Sequence, residues 1–187
     1  MKIIFDEKNH IYKVEDKVEN RIVPSVNQIL DTVFGKTFPK DNIFVQRACE
    51  KGRYIHNCFD EYIKYGKMPS FDFVEFRNFR NLQNVEGLKF NQSEVRLYKK
   101  IEGMEYCGTA DAIDTKRKHI TDYKTGSTIR KKHWQYQLSF YAHAKRGIKE
   151  ISVFYLHNDK CKYIPLEILP KEEIVEVLKE YKRITGE

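Results

Sequence analysis

Apolar and polar residues alternate along IIFDEKNHIYKVEDKVENRIV, residues 3–23. A period of two means extended chain, so a small β-hairpin is expected there. The period then lengthens. Pro24-Ser25 opens SVNQILDTVF, a helical pattern with Ser25 as its candidate N-cap. GKTFPKDN reads as a loop. A long helical pattern runs from Ile43 to Tyr65, with Ala48, Ile55, Phe59, Tyr62 and Ile63 near one face and Gly66 as its stop. After Met-Pro-Ser another helix is expected. Asp72 and Glu75 have the spacing of a capping box, Phe73, Phe76, Phe79 and Leu82 form an apolar stripe, and Gly87 ends it.

Short β-rich runs follow: SEVRLYKKI, EYCGTADAID and HITDYKT, separated by polar turns. IRKKHWQYQLSFYAHAKRG returns to helix and stops at Gly147. ISVFYLHN and KYIPLEI read as two strands around an Asn158-Asp159 turn, and Pro170 begins the last helix, PKEEIVEVLKEYKRI. No repeat, low-complexity segment or linker interrupts this order. A single α/β domain over residues 1–187 with a mixed central sheet is expected, residues 1–87 supplying the hairpin and helices and 88–187 the sheet with its flanking helices.

Composition narrows the class. With 187 residues, 41% of them hydrophobic, the chain can bury a real core. It has no apolar run long enough to span a membrane, and MKIIFDEKNH turns charged too soon for a secretory leader. Cys49, Cys58, Cys107 and Cys161 are scattered, which argues against a disulfide framework or a zinc knuckle and makes a reducing cytoplasm the expected location. The net charge of +7 favours a polyanionic partner. Lys116, Arg117, Lys118, Lys124, Arg130, Lys131 and Lys132 fall in one short region. That region is either a solvated hairpin tip or a surface for a phosphate backbone.

The same region carries the candidate chemistry. Asp111 lies near the end of one expected strand and Asp122 on the next, with Lys124 two residues further. Residues two apart in a strand share a face, so Asp122 and Lys124 project together. A turn at about 115–118 brings Asp111 alongside. Converging carboxylates repel unless a cation sits between them, and oxygen ligands without thiolates suit Mg²⁺ or Mn²⁺ better than zinc. Asp-x-Lys alone is common and reads equally as a surface ion pair. Asp114 reads as a turn residue.

Several motifs in order resemble one family. Gly108-x-x-Asp111, Asp122-Tyr123-Lys124-Thr125-Gly126 and Gln137-x-x-x-Tyr141 resemble the RecB-like branch of the PD-(D/E)XK nucleases. So do Gly52-Arg53-Tyr54-Ile55-His56, which looks like that branch's helical motif, and Glu94, which stands where the family has a glutamate on its first core strand. HIYKVEDKVENRIVPSVNQIL is similar to the start of its phage-type exonucleases. The resemblance covers nearly the whole chain. It implies a restriction-endonuclease-like αβββαβ core with N-terminal helical decoration. It implies that Asp111, Asp122, the Tyr123 carbonyl and His56 bind metal, that Glu94 binds metal or water less directly, and that Lys124 is catalytic. Gln137 and Tyr141, one helical turn apart, would brace the site and touch nucleic acid.

On residue type alone a helical histidine such as His56 is more often structural, Glu94 an ordinary strand residue, and Gln137 and Tyr141 packing residues. Arg53, Arg130, Lys131, Lys132 and Trp134 are candidates for contacts to a phosphate backbone or a stacked base, or else a basic helix start with a half-buried Trp. An iron–sulfur cluster of the kind some relatives carry is not expected, because only Cys161 lies late in the chain. Nor is there a Gly-x-x-x-x-Gly-Lys-Ser/Thr phosphate loop. The expected activity is Mg²⁺- or Mn²⁺-dependent DNA exonuclease cleavage in phage-like recombination or repair, acting on single- or double-stranded ends, with no small-molecule cofactor and with homo-oligomerisation open. A structure-selective or nicking endonuclease is the alternative with the same chemistry. A non-catalytic nucleic-acid-binding module is the alternative of another class.

Overall fold

A computed structural model describes residues 1–6, 11–16, 19–35, 43–158 and 160–186. The alternating N-terminal segment forms three strands rather than a hairpin. β1 (Lys2–Asp6), β2 (Ile11–Glu15) and β3 (Asn20–Val23) make an antiparallel meander in chain order. The second reversal is closed by a bond from the Asp16 N–H to the Glu19 carbonyl (3.2 Å) and one from the Glu19 N–H to the Asp16 carboxylate (3.2 Å). A side-chain-capped turn of this kind leaves the apolar alternation almost unbroken, so periodicity alone does not reveal it.

Three helices follow. In α1 (Val26–Phe34) the Ser25 hydroxyl accepts the Gln28 N–H at 3.0 Å, the expected N-cap. α2 (Ile43–Tyr65) ends at Gly66, whose φ of 66° closes the helix onto the Tyr62 carbonyl. Its buried side begins only at Ile55, with Cys58 and Phe59, while Ala48 is exposed, so the first turns stand clear of the core. α3 (Val74–Val85) has no capping box. Phe73 occupies the cap position without a side-chain bond, Asp72 pairs with Arg77, and Glu75 is buried against Lys51 of α2 at 2.7 Å. Glu75 thus takes a tertiary partner and Asp72 a local one in place of the reciprocal cap.

The larger sheet is β4 (Gln92–Ile101), β5 (Met104–Asp114), β6 (His119–Lys124), β7 (Glu150–His157) and β8 (Lys160–Leu166), in that order. All neighbours are antiparallel except β6 and β7, which are parallel and joined through α4 (Lys131–Ala144). α5 (Lys171–Thr185) completes the chain. Among the described residues the result is a mixed α/β architecture of five helices and two sheets, compatible with a restriction-endonuclease-like core. No helix among the described residues is long and apolar enough to cross a membrane.

Each face of the sheet has its own core. On one, Leu97, Tyr106, Ala110, Ile120, Val153 and Tyr155 meet α1, α4 and α5. On the other, Ala112, Tyr123, Phe154 and Leu156 meet Ile55 and Phe59 of α2 and Phe76, Phe79 and Leu82 of α3. Tyr12, Val14 and Val23 of the small sheet pack on Cys107 of β5. Along β5 the alternation inverts: Tyr106, Ala110 and Ile113 serve the first core but Ala112 the second. The inversion brackets Asp111.

Candidate metal centre

Asp111 stands where the sheet opens on both sides. Toward β4, the ladder pairs Ser93 with Ala112 and Val95 with Ala110 but skips Glu94 opposite Asp111, and Glu94 has a left-handed φ of 49°. A non-glycine residue at such a φ costs free energy and persists only where its surroundings fix it. Toward β6, pairing ends at Ala112–Thr121, and the Tyr123 N–H, two residues on, is donated to the Asp111 carboxylate at 2.7 Å. The carboxylate thus takes the place of a ladder carbonyl.

α2 brings the next donor. It comes so close to the end of β6 that a Cβ on Gly52 would lie 3.2 Å from the Thr125 hydroxyl. One turn on, the His56 Nδ1 lies 3.5 Å from Asp111 Oδ2, and its ring meets Tyr123 edge-on. One donor atom from each of His56, Glu94 and Asp111 falls within 4.8 Å of the others, a spacing that one ion can bridge. Of the residues expected to gather here, Asp122 sits apart from this trio. Its Oδ2 is 2.6 Å from Lys124 Nζ, as an ion pair off the directions of a hydrogen bond. Lys124 also donates to Gln137 Oε1 at 3.0 Å, and Gln137 donates to the Tyr141 hydroxyl at 3.2 Å. Asp122 and Lys124 share a face, that of α4.

The charges are unbalanced. Burial disfavours the carboxylates, yet the imidazole of His56 holds Asp111 below its ordinary value. Burial would likewise lower His56, but the Asp111 carboxylate outweighs it and raises the ring to about 9. Burial, then the charge of Asp111, pushes Glu94 up to about 7. Burial also raises Asp122, to about 6, against the pull of Lys124 and with the push of Asp111. Three carboxylates face one imidazole and one ammonium, an arrangement that a cation relieves. The donors are imidazole nitrogen and carboxylate oxygen with no thiolate, which fits a divalent ion.

The remaining expected residues divide by burial. Arg53, Lys131 and Lys132 are exposed, and Arg130 is half-exposed at the start of α4. Trp134 is 4% exposed and packed in the first core beside Tyr155. Gln137 and Tyr141 are buried too, so they brace Lys124 rather than present a surface. Asp114 accepts the Lys89, Lys116 and Arg117 backbone N–H groups and holds the hairpin turn. Two features escaped the sequence. His133, one turn before Gln137, has a buried Nε2 without a hydrogen-bond partner, and burial followed by the Lys124 charge lowers its pKa. Asp60, one turn after His56, accepts from the Ser93 hydroxyl and pairs with Lys64 at 2.7 Å. The i, i+4 spacing was visible in both cases; the partner strand was not.

The fold and side chains thus define a mixed α/β protein with a carboxylate–histidine cluster suited to a divalent cation. No family model and no curated protein matches the chain. Among solved structures it is similar to the crystal structure of SSO0001, at 14% identity and a TM-score of 0.45, over 86% of this chain and 84% of that one. It is also similar to a phage related exonuclease from Haemophilus somnus 129PT, at 10% identity and a TM-score of 0.42, over 87% of this chain and 91% of that one.

Proposed function

We propose that the chain is a divalent-metal-dependent deoxyribonuclease that degrades DNA from its ends, in a phage-like recombination or repair setting. One observation carries the reading: donors of His56, Glu94 and Asp111 meet within 4.8 Å beside an Asp122–Lys124 pair on the adjoining strand. His56, Glu94 and Asp111 would hold the ion, and Asp122 and the Tyr123 carbonyl would be its further ligands. The ion would supply Lewis acidity and neutralise charge on a phosphodiester.

The chain's own groups do the rest. Lys124, held by Asp122 and Gln137, keeps its ammonium at the edge of the site, where it stabilises negative charge developing on the phosphoryl group or orients a water. Gln137 and Tyr141 fix that ammonium, so its placement costs no reorganisation during reaction. Arg53, Arg130, Lys131 and Lys132 offer sequence-independent contacts to the backbone.

The test is end-labelled linear DNA, single- and double-stranded, incubated with EDTA, Mg²⁺ or Mn²⁺ beside a closed-circular control. Metal-dependent loss of linear DNA that spares the circle is expected. Lys124→Ala should reduce the rate about 10²–10³-fold, as for removal of a preorganised charge-stabilising donor, and Asp122→Ala at least as much. Cutting of the circle would instead establish the endonuclease alternative. A folded, metal-loaded wild type that shifts DNA in a gel but cleaves none would replace catalysis with binding.

A further inference from the structure

Glu94, one of the three donors, has a left-handed backbone with a φ of 49°, and nothing in its own sequence favours that conformation. Asn and Asp tolerate a positive φ through local side-chain bonds, whereas Glu has no such local compensation. The neighbouring residue supplies the restraint. Ser93 is buried, at 6% exposure, and its hydroxyl donates to Asp60 Oδ1 of α2. The other Asp60 oxygen accepts from Lys64, one turn further along α2, at 2.9 Å. Asp60 is itself one turn beyond His56, so the two project from the same face of the helix. Ser93 pairs with Ala112, the residue after Asp111. The Asp60–Ser93 bond therefore lies one residue from Glu94, one pairing step from Asp111 and one helical turn from His56.

We infer that Asp60 is a positioning residue for the metal centre: by holding Ser93 it locks the Glu94 backbone and the α2–β4 spacing so that the donors of Glu94 and His56 converge on Asp111. This rests on the metal-site reading of the three donors and adds a residue behind them. Asp60 is not one of the three converging donors. Its oxygens accept from Ser93 and Lys64, and its effect passes through Glu94. Residues that orient metal ligands typically change affinity about 10–100-fold when removed.

The experiment is Mn²⁺ titration of the full chain by calorimetry, for wild type, Asp60→Asn, Asp60→Ala, Ser93→Ala and the Asp60→Ala/Ser93→Ala double variant. Thermal unfolding in EDTA and cleavage of linear DNA are measured on the same samples. Ser93→Ala and Asp60→Ala should each weaken Mn²⁺ binding about 10-fold or more. The double variant should be no weaker than Asp60→Ala, because both remove one bond. Asp60→Asn, which keeps an acceptor for Ser93, should lose less. Ser93→Ala separates positioning from charge, since it changes no charge. If only the Asp60 variants weaken Mn²⁺, simple electrostatics explains them and the inference falls. If all variants bind Mn²⁺ like wild type while melting lower, the bond is scaffolding and the inference also falls. A wild type that binds no Mn²⁺ overturns it outright. Wild type that binds Mn²⁺ but cleaves nothing, with the variants still weakened, leaves the positioning role standing and removes the nuclease reading alone.

Discussion

Gly108 shows how closely the site is packed. A Cβ there would lie 2.3 Å from Cε1 of Tyr141, far inside contact distance, with ring carbons at 3.1 and 3.2 Å behind it. Its backbone φ is ordinary, so the requirement is space alone. Tyr141 receives the Gln137 amide, and Gln137 receives Lys124, so a methyl on β5 displaces the brace of the ammonium three contacts away. Gly108→Ala should destabilise the protein by about 1–3 kcal/mol, the usual cost of overpacking, and slow DNA cleavage. Trimming the ring in Gly108→Ala/Tyr141→Leu should recover part of the stability. Two losses that simply add would show that the contact is not the cause.

At the scale of elements, the small sheet is tied to the large one by charge as well as by packing. Arg21 of β3 donates to Glu105 of β5 through Nε (2.7 Å) and an Nη (2.9 Å), and the Tyr98 hydroxyl of β4 donates to the same carboxylate at 2.7 Å. The Tyr12–Thr109 hydroxyl pair adds a second tie, two residues before Asp111. The Arg21 guanidinium holds Glu105 well down, at about 2 against an ordinary 4.5. A depressed carboxylate stabilises the fold fully above its unfolded value, and that contribution is lost as pH falls through the folded one. Between pH 4.5 and 2 the clamp should therefore fail. Thermal unfolding at pH 7, 4 and 2.5 checks this. Arg21→Ala should melt well below wild type at pH 7, and the gap should close toward pH 2.5. A gap constant with pH would mean that Arg21 acts by packing.

Across the whole molecule, the site lies on a seam. The small sheet covers Cys107 and α2 and α3 cover Ala112, with Asp111 between them. What holds α2 in place is an aromatic cluster. Phe59, one turn beyond Ile55, stacks on Phe79 of α3 at 4.3 Å, and both meet the edge of Tyr123 on β6, at 5.0 and 5.4 Å. Helix and strand that carry His56 and Asp122 are thus joined by three rings. Phe79→Ala removes a fully buried ring from the middle of that cluster and should cost about 3–5 kcal/mol, read from the denaturant midpoint at unchanged m-value. A loss below about 1 kcal/mol would mean that the cluster collapses to fill the space.

Periodicity and residue spacing alone determined what lies within one element. The helix over 43–65, its glycine stop, the Ser25 cap, and the common face of Asp122 and Lys124 all follow from repeats of 3.6 or two residues along a continuous backbone. The tertiary structure alone decided what depends on distance between elements. It set α2 close enough through Gly52 for His56 to meet Asp111, and it turned Glu94 into a left-handed conformation that strand alternation does not encode. It gave Glu75 a distant partner, Lys51 of α2, in place of a cap and drew Trp134 into the core. The physical reason is the same each time. Local pattern specifies which way a side chain points, whereas the group it meets is chosen by burial and charge pairing summed over the whole fold.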